Sequence, residues 1–173
     1  MPAGAPPRRA RIATLADVPV LARQRVGMFL AMKPVPEDEA AAIERGTRSF
    51  LRRAIPAGEF VGFLSEERGR VVAGGGLLLR AMMPRPGFPA GFTEAYVLSV
   101  FTEEAFRRRG HARAVMEAVL RWCREKRVGR VSLHASRFGR SLYLSMGFEV
   151  KEEFRLDLRR RRKSGRALPP PGP

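Results

Sequence analysis

The stretch Ala95 to Ala114, AYVLSVFTEEAFRRRGHARA, carries the strongest structural signal in the chain. Its first part is rich in β-branched and aromatic residues and predicts a strand over Thr93 to Phe101. A charged turn, TEEAF, leads into an Arg-rich loop. From Gly110 to Arg127 the apolar Ala112, Val115, Met116, Val119, Leu120 and Cys123 recur at helical spacing, with Arg113, Glu117, Arg121 and Arg124 on the opposite face. Strand, loop and helix start together make an anion site. The first helical turn has unpaired backbone N–H groups and the positive end of the macrodipole. Gly110 would let the backbone approach a ligand closely, and Ala112 keeps the helix start uncluttered. Arg107, Arg108, Arg109 and Arg113 can add charge-assisted hydrogen bonds, while His111 contributes through its backbone more than its ring. An isolated RRRG run reads equally well as a solvated basic turn.

Upstream, Ala10 to Ala13 predicts a short strand, and Thr14 with Asp17 resembles a capping box opening a helix to about Met32. A second helix starts at Pro36, is patterned by Ala40, Ile43, Thr47, Phe50, Leu51 and Ala54, and is ended by Pro56 and Gly58. Phe60 to Ser65 and Arg70 to Arg80 predict a hairpin, with Gly74 to Gly76 marking a bulge or kink in its second strand. The loop Met83 to Gly91 is long enough to rim a site. Downstream come a strand at Val131 to His134, a short helix at Gly139 to Met146, and an alternating stretch, Phe148 to Leu158, for one or two final strands. The order is βααββ, then βαβαβ. It predicts an α/β protein with a mixed sheet, antiparallel first and parallel across the crossover helix.

At 173 residues the chain suits one domain, expected over residues 11 to 158. The ends, 1 to 10 and 159 to 173, are rich in Pro, Gly and Arg and are expected to be disordered. No apolar run is long enough for a membrane span, and Arg8 and Arg9 are not followed by the apolar core of an export signal, so a cytoplasmic location is expected. The lone Cys123 excludes an internal disulfide and a Cys-rich zinc cluster, and no metal is expected. The net charge of +16 points toward nucleic acid until it is divided. Residues 11 to 158 hold 25 bases against all 17 acids, or +8, and the two ends hold the other eight bases. The excess in the folded part suits a ligand with several phosphates, or is a bias of composition.

The region Arg11 to Leu158, most closely from Tyr96 to Phe148, resembles the GNAT superfamily of N-acetyltransferases. Arg107, Gly110 and Ala112 occupy the places of that family's pyrophosphate-binding motif. The strand ending in Leu98, Ser99 and Val100 is similar to the family strand whose backbone hydrogen-bonds the pantetheine arm and thioester of acetyl-CoA. Leu142, Tyr143, Gly147 and Phe148 match the second signature. The sequence departs from the pattern at Ser136, where asparagine is frequent, and at Gly139, where alanine is common. A serine hydroxyl can still bond the cofactor, with shorter reach.

The resemblance implies a GNAT-like fold, acetyl-CoA as cosubstrate, and transfer of acetyl to a primary amine of a small molecule or a protein. It implies Tyr143 as general acid toward the CoA sulfur and the backbone N–H of Val100 as carbonyl polariser. Glu94, six residues before Val100, resembles the catalytic glutamate of some protein-lysine acetyltransferases, or is a hydrophilic strand start. His134 reads as a partly buried strand histidine and Cys123 as core packing. Met28, Phe29, Met32, Phe88 and Phe92 would wall the acceptor site or belong to the core. Other readings are a catalytically silent acyl-CoA-binding module, and a nucleic-acid-associated protein binding weakly through the basic tail. A homodimer is left open.

Overall fold

The computed structural model describes residues 8 to 158. Its elements are β1 (Ala10–Ile12), α1 (Val18–Met32), α2 (Glu37–Ala54), β2 (Phe60–Glu67), β3 (Arg70–Met82), β4 (Phe92–Thr102), α3 (His111–Glu125), β5 (Arg130–Leu133) and α4 (Arg140–Ser145). Short 3-10 turns at Leu15–Asp17 and Glu104–Phe106 lead into α1 and toward α3. The sheet runs β1-β2-β3-β4-β5. Neighbours are antiparallel up to β4, and β4 pairs with β5 in parallel through the α3 crossover. This is the mixed α/β sheet that the element order requires.

Each face of the sheet buries a separate cluster. Phe63, Leu77, Ala95 and Val97 pack against Val115, Met116 and Val119 of α3. On the other face Phe60 and Leu64 meet Val18 and Leu21 of α1 and Leu51 and Ala54 of α2. The alternation of β2, β3 and β4 thus sends successive side chains to different helices. Before α1, the Asp17 carboxylate accepts from the Thr14 backbone N–H at 2.8 Å and from the Thr14 hydroxyl at 3.1 Å. Arg11 reaches the same carboxylate at 2.8 and 2.9 Å.

Four expectations are corrected. The extra residue of the β3–β4 pair lies on β4: Gly74 pairs with Phe101 and Gly76 with Leu98, leaving Gly75 opposite both Ser99 and Val100. Glycine in β3 accommodates this bulge, since a methyl at Gly75 would come 3.1 Å from Val100 Cγ2. No final strand forms over 148–158; Phe154 and Leu156 are exposed there. Four-residue β5 offers a further strand few ladder bonds, and alternation alone does not make a strand without a partner. Third, order begins before residue 11: β1 starts at Ala10, and Arg8 Nε donates to the Arg109 carbonyl at 2.6 Å. The rest of the ends expected to be disordered, 1–7 and 159–173, lies outside the described residues. Finally, β5 stops at Leu133, so His134 is an exposed residue past the strand rather than a partly buried one.

Candidate active site

The β4 bulge lies just past the last β4–β5 pair, Val97 with Leu133. The Val100 and Val115 side chains both pack close to Gly75, and α3 is tied to α4 by the Arg113–Ser145 hydrogen bond. At the bulge Ser99 adopts φ +57, a left-handed conformation that only a local constraint makes acceptable to serine. In such a bulge the extra residue leaves the hydrogen-bond ladder. Val100 therefore sits where a strand's backbone can address a ligand.

The loop before α3 turns on two left-handed residues, Arg108 at φ +63 and Gly110 at φ +87. Gly110 is the N-cap and, having no side chain, leaves the first N–H groups of α3 uncapped. A Cβ at Gly110 would meet nothing within 4 Å among the described residues, so the glycine is required by its φ rather than by a close neighbour. Arg107, Arg108, Arg109 and Arg113 are exposed and Ala112 is half-buried. Their side chains are not all turned to the same place. Arg107 Nε donates to the Thr102 carbonyl at 3.3 Å, Arg109 approaches Glu67 at 3.5 Å, and Arg113 donates to Ser145 Oγ in α4 at 2.8 Å.

The His111 ring is turned inward. It is fully buried, with Nδ1 2.9 Å from Ser65 Oγ and Nε2 2.9 Å from Glu67 Oε2, so only its backbone faces the loop. Glu67 also accepts from Arg8 at 2.7 Å. The His111 hydrogen bond, followed by the two arginines, holds the Glu67 carboxyl below its ordinary pKa. Sequence reading missed this cluster, because Ser65 and Glu67 lie on another element more than 40 residues away.

Tyr143 is half-buried, edge-on to Phe148 with ring centroids 5.9 Å apart, and burial raises its phenol pKa above the ordinary value. Its ring lies over Gly139, where a methyl group would come 2.7 Å from Cε2 and 3.2 Å from the hydroxyl. The departure to glycine at 139 thus makes room for the tyrosine. Ser136 is half-buried and its carbonyl accepts from the Gly139 and Arg140 N–H groups at 3.1 and 3.2 Å, capping α4. Glu94 is buried on the same face of β4 as Leu98, about 13 Å along the strand, with Arg130 Nη1 3.7 Å from its carboxylate.

Beside the bulge lies a cavity of about 390 Å³ between α1, α2 and the sheet. Ile43, Thr47 and Phe50 of α2 line it, as do Gln24, Arg25, Leu98 and Ser99. Glu94 does not line it. Neither do Phe88 and Phe92, which stack at 4.4 Å and pack on Gly129. In the sequence Gln24 and Arg25 show only as part of a three-residue polar run, Arg23 to Arg25, inside α1. Among the described residues no group of acids, histidines or cysteines could hold a metal, and no helix is long and apolar enough to cross a membrane.

Solved structures share this architecture. The chain is 26% identical to a GCN5-related N-acetyltransferase from Ralstonia eutropha JMP134, with 87% of this chain and 98% of that one covered at a TM-score of 0.78. A predicted acetyltransferase with acetyl-CoA, from Clostridium acetobutylicum, is 20% identical over 87% of this chain and 96% of its own, with a TM-score of 0.75. Glucosamine-6-phosphate N-acetyltransferase from Arabidopsis thaliana is 16% identical over 87% and 97%, at 0.64. The latter two are similar in fold. No curated protein matches the chain. The model of the acetyltransferase (GNAT) family matches residues 28–148, more than half of the chain, and the chain belongs to that family.

Proposed function

We propose that this protein is an acetyl-CoA-dependent N-acetyltransferase acting on a primary amine. The observation that carries the reading is the bulge at Ser99 and Val100, set between an uncapped helix start at Gly110 and a half-buried tyrosine at 143. The residues fit the cosubstrate: an uncapped N-terminus flanked by exposed arginines suits a pyrophosphate, and a strand backbone freed from its ladder suits the pantetheine arm. When bound, acetyl-CoA supplies a thioester whose carbonyl carbon is open to attack by a neutral amine.

The backbone N–H groups of Gly110, His111 and Ala112 hold the phosphates, with Arg107, Arg108, Arg109 and Arg113 supplying charge around them. Leu98 and Ser99 align the pantetheine arm, and the Val100 N–H polarises the carbonyl. The Tyr143 hydroxyl donates its proton toward the departing sulfur. Its raised pKa keeps it protonated throughout the neutral range. Ser136, beside α4, bonds the cosubstrate through its hydroxyl. Glu94 is too distant from Val100 for direct proton abstraction and acts as a base only through intervening water.

The test is thiol release from acetyl-CoA across a panel of amines, with calorimetric measurement of acetyl-CoA binding. Turnover with any primary amine supports the reading; absence of acetyl-CoA binding overturns it. Tight binding without turnover on any amine would identify a silent acyl-CoA-binding module instead. A cytoplasmic location goes with this activity, since acetyl-CoA is the donor.

A further inference from the structure

Gln24 lines the cavity beside the bulge, and its carboxamide is buried in the wall without a partner among the described residues. Gln24 is 5% exposed, and neither Oε1 nor Nε2 has a hydrogen-bond partner among the described residues. A buried carboxamide with both ends unsatisfied destabilises a protein unless something else bonds it. Its placement is specific: a side chain at Gly74 would collide with Oε1, so glycine there leaves the carboxamide its space.

Arg25, the next residue, is half-buried against the Phe29 ring, its guanidinium carbon 5.0 Å from the ring centroid. It donates to Ser99 Oγ at 2.7 Å and forms no ion pair with a described carboxylate. Burial lowers its pKa, as expected for a cation taken out of water without a counter-ion. The cavity wall is otherwise mostly apolar, formed by Leu21, Ile43, Phe50, Leu51 and Leu98, and none of its lining residues is acidic. A polycationic amine would meet a positive charge there and no negative one. An anionic group would be drawn to Arg25, whose guanidinium is hydrogen-bonded to the bulge itself.

We propose that the acceptor is a compact amino-carboxylate with an apolar side chain, an α-amino acid of the leucine, methionine or phenylalanine kind. This rests on the acetyltransferase reading above. Arg25 takes the carboxylate, Gln24 bonds the same polar end, and the side chain lies between α1 and α2. Because amine and carboxylate share one carbon, an anion held at Arg25 brings the nitrogen to the Ser99–Val100 bulge. The guanidinium also disfavours the ammonium form nearby, which helps supply the neutral amine without an adjacent base. As that nitrogen bonds to the acetyl carbon, the C–S bond breaks. The nitrogen gives one proton to water, and the sulfur takes the proton of Tyr143, which is replaced from solvent.

The experiment uses the full chain with acetyl-CoA and matched acceptors: leucine, methionine and phenylalanine, each beside its amide and its decarboxylated amine, with spermidine as the polycation. The expected result is a kcat/KM higher for the free acid than for both partners by about tenfold or more, as loss of a charge-assisted bond implies. Arg25→Met is expected to abolish that preference while acetyl-CoA still binds calorimetrically. Gln24→Leu is expected to raise the Tm and raise KM for the amino acid, a combination that a purely structural glutamine would not give. 4-Methylpentanoate, which has no amine, should raise the Tm of the wild type and not of Arg25→Met. Carboxylate-free amines or spermidine used as well as the acids, or a preference unchanged by Arg25→Met, overturns the proposal. Turnover of those other amines would leave the acetyltransferase reading intact, whereas failure to bind acetyl-CoA would remove both.

Discussion

Nε2 of His111 lies 2.9 Å from Oε2 of Glu67, joining the first residue of α3 to the last residue of β2 beneath the anion loop. The loop is therefore anchored on one side by a fully buried ring, and Arg107, Arg108 and Arg109 are exposed on it. Replacing the ring while keeping bulk, as in His111→Phe, leaves the buried Ser65 hydroxyl without its 2.9 Å imidazole partner and Glu67 without its nearest hydrogen-bonded histidine. Ser65 Oγ keeps its 3.2 Å bond to the Arg9 carbonyl, so the loss on that side is one hydrogen bond, about 0.5–1.5 kcal/mol. Chemical denaturation should show that loss, and KM for acetyl-CoA should rise more than kcat falls, because binding depends on the loop's position.

Acid should destabilise the fold over a defined window. Hydrogen bonds from Arg11, with help from Thr14, lower the pKa of Asp17 from its ordinary value to about 2. Glu67 is lowered too, by His111 first. A carboxylate whose folded pKa is depressed contributes stability that is complete above its unfolded pKa and is lost as pH falls toward the folded one. Stability should thus be steady down to about pH 5 and decline toward pH 2. Screening by solvent limits the Asp17 share to about 1 kcal/mol. Asp17→Asn should flatten part of this decline in urea titrations from pH 6 to 2.

The sequence displayed most of the fold. The α3 face from Val115 to Cys123 and the Phe60 to Arg80 hairpin follow from periodicity, and each is found where its pattern puts it. What it did not display depends on relations between elements. The bulge belongs to β4 although the glycines that mark it are in β3, since the signal is the space those glycines make for Val100. Gln24 and Arg25 could not be distinguished from an ordinary polar interruption of α1 until α2 closed over them. The run from Phe148 to Leu158 alternates like a strand, but alternation does not reveal whether an edge is available to pair with it.

Tyr143→Phe should lower kcat by about 100-fold or more if the hydroxyl protonates the leaving sulfur, with acetyl-CoA affinity nearly unchanged. Gly139→Ala is a second probe of the same group, since its methyl would press on the ring and hydroxyl. It should reduce kcat by tilting the ring, and the Tyr143→Phe background should erase its effect on turnover. A Gly139→Ala loss that persists in that background would place its effect elsewhere. Because burial raises the phenol pKa, any fall in kcat from ionisation of this group should come at higher pH than for an ordinary tyrosine.

Cys123 is 3% exposed, and burial pushes its thiol up to about 11. At pH 8 only about one molecule in a thousand would carry the thiolate that reacts. The native protein should therefore be silent toward Ellman's reagent and react with one equivalent on unfolding in guanidinium chloride. That makes thiol release from acetyl-CoA readable without a background from the enzyme. Rapid labelling of the native protein would contradict the packing of α3 against the sheet.

Gly110→Ala separates backbone strain from ligand exclusion at the anion loop. Residue 110 adopts φ +87, and a left-handed alanine costs about 1–2 kcal/mol. No described residue lies within 4 Å of the new methyl, so no clash among them adds to that strain. If the space above residue 110 is where a phosphate sits, the methyl intrudes on the ligand as well. Acetyl-CoA affinity should then fall even at temperatures where the variant is fully folded, and both proteins should lose affinity as salt is raised. Arg108 is the control, since it is left-handed too but carries a side chain already. Arg108→Gly should relieve strain and raise the Tm while weakening acetyl-CoA binding only through lost charge. Calorimetric titration at two salt concentrations decides between the two effects: a Gly110→Ala defect that disappears once folding is restored would mean the glycine serves only the turn.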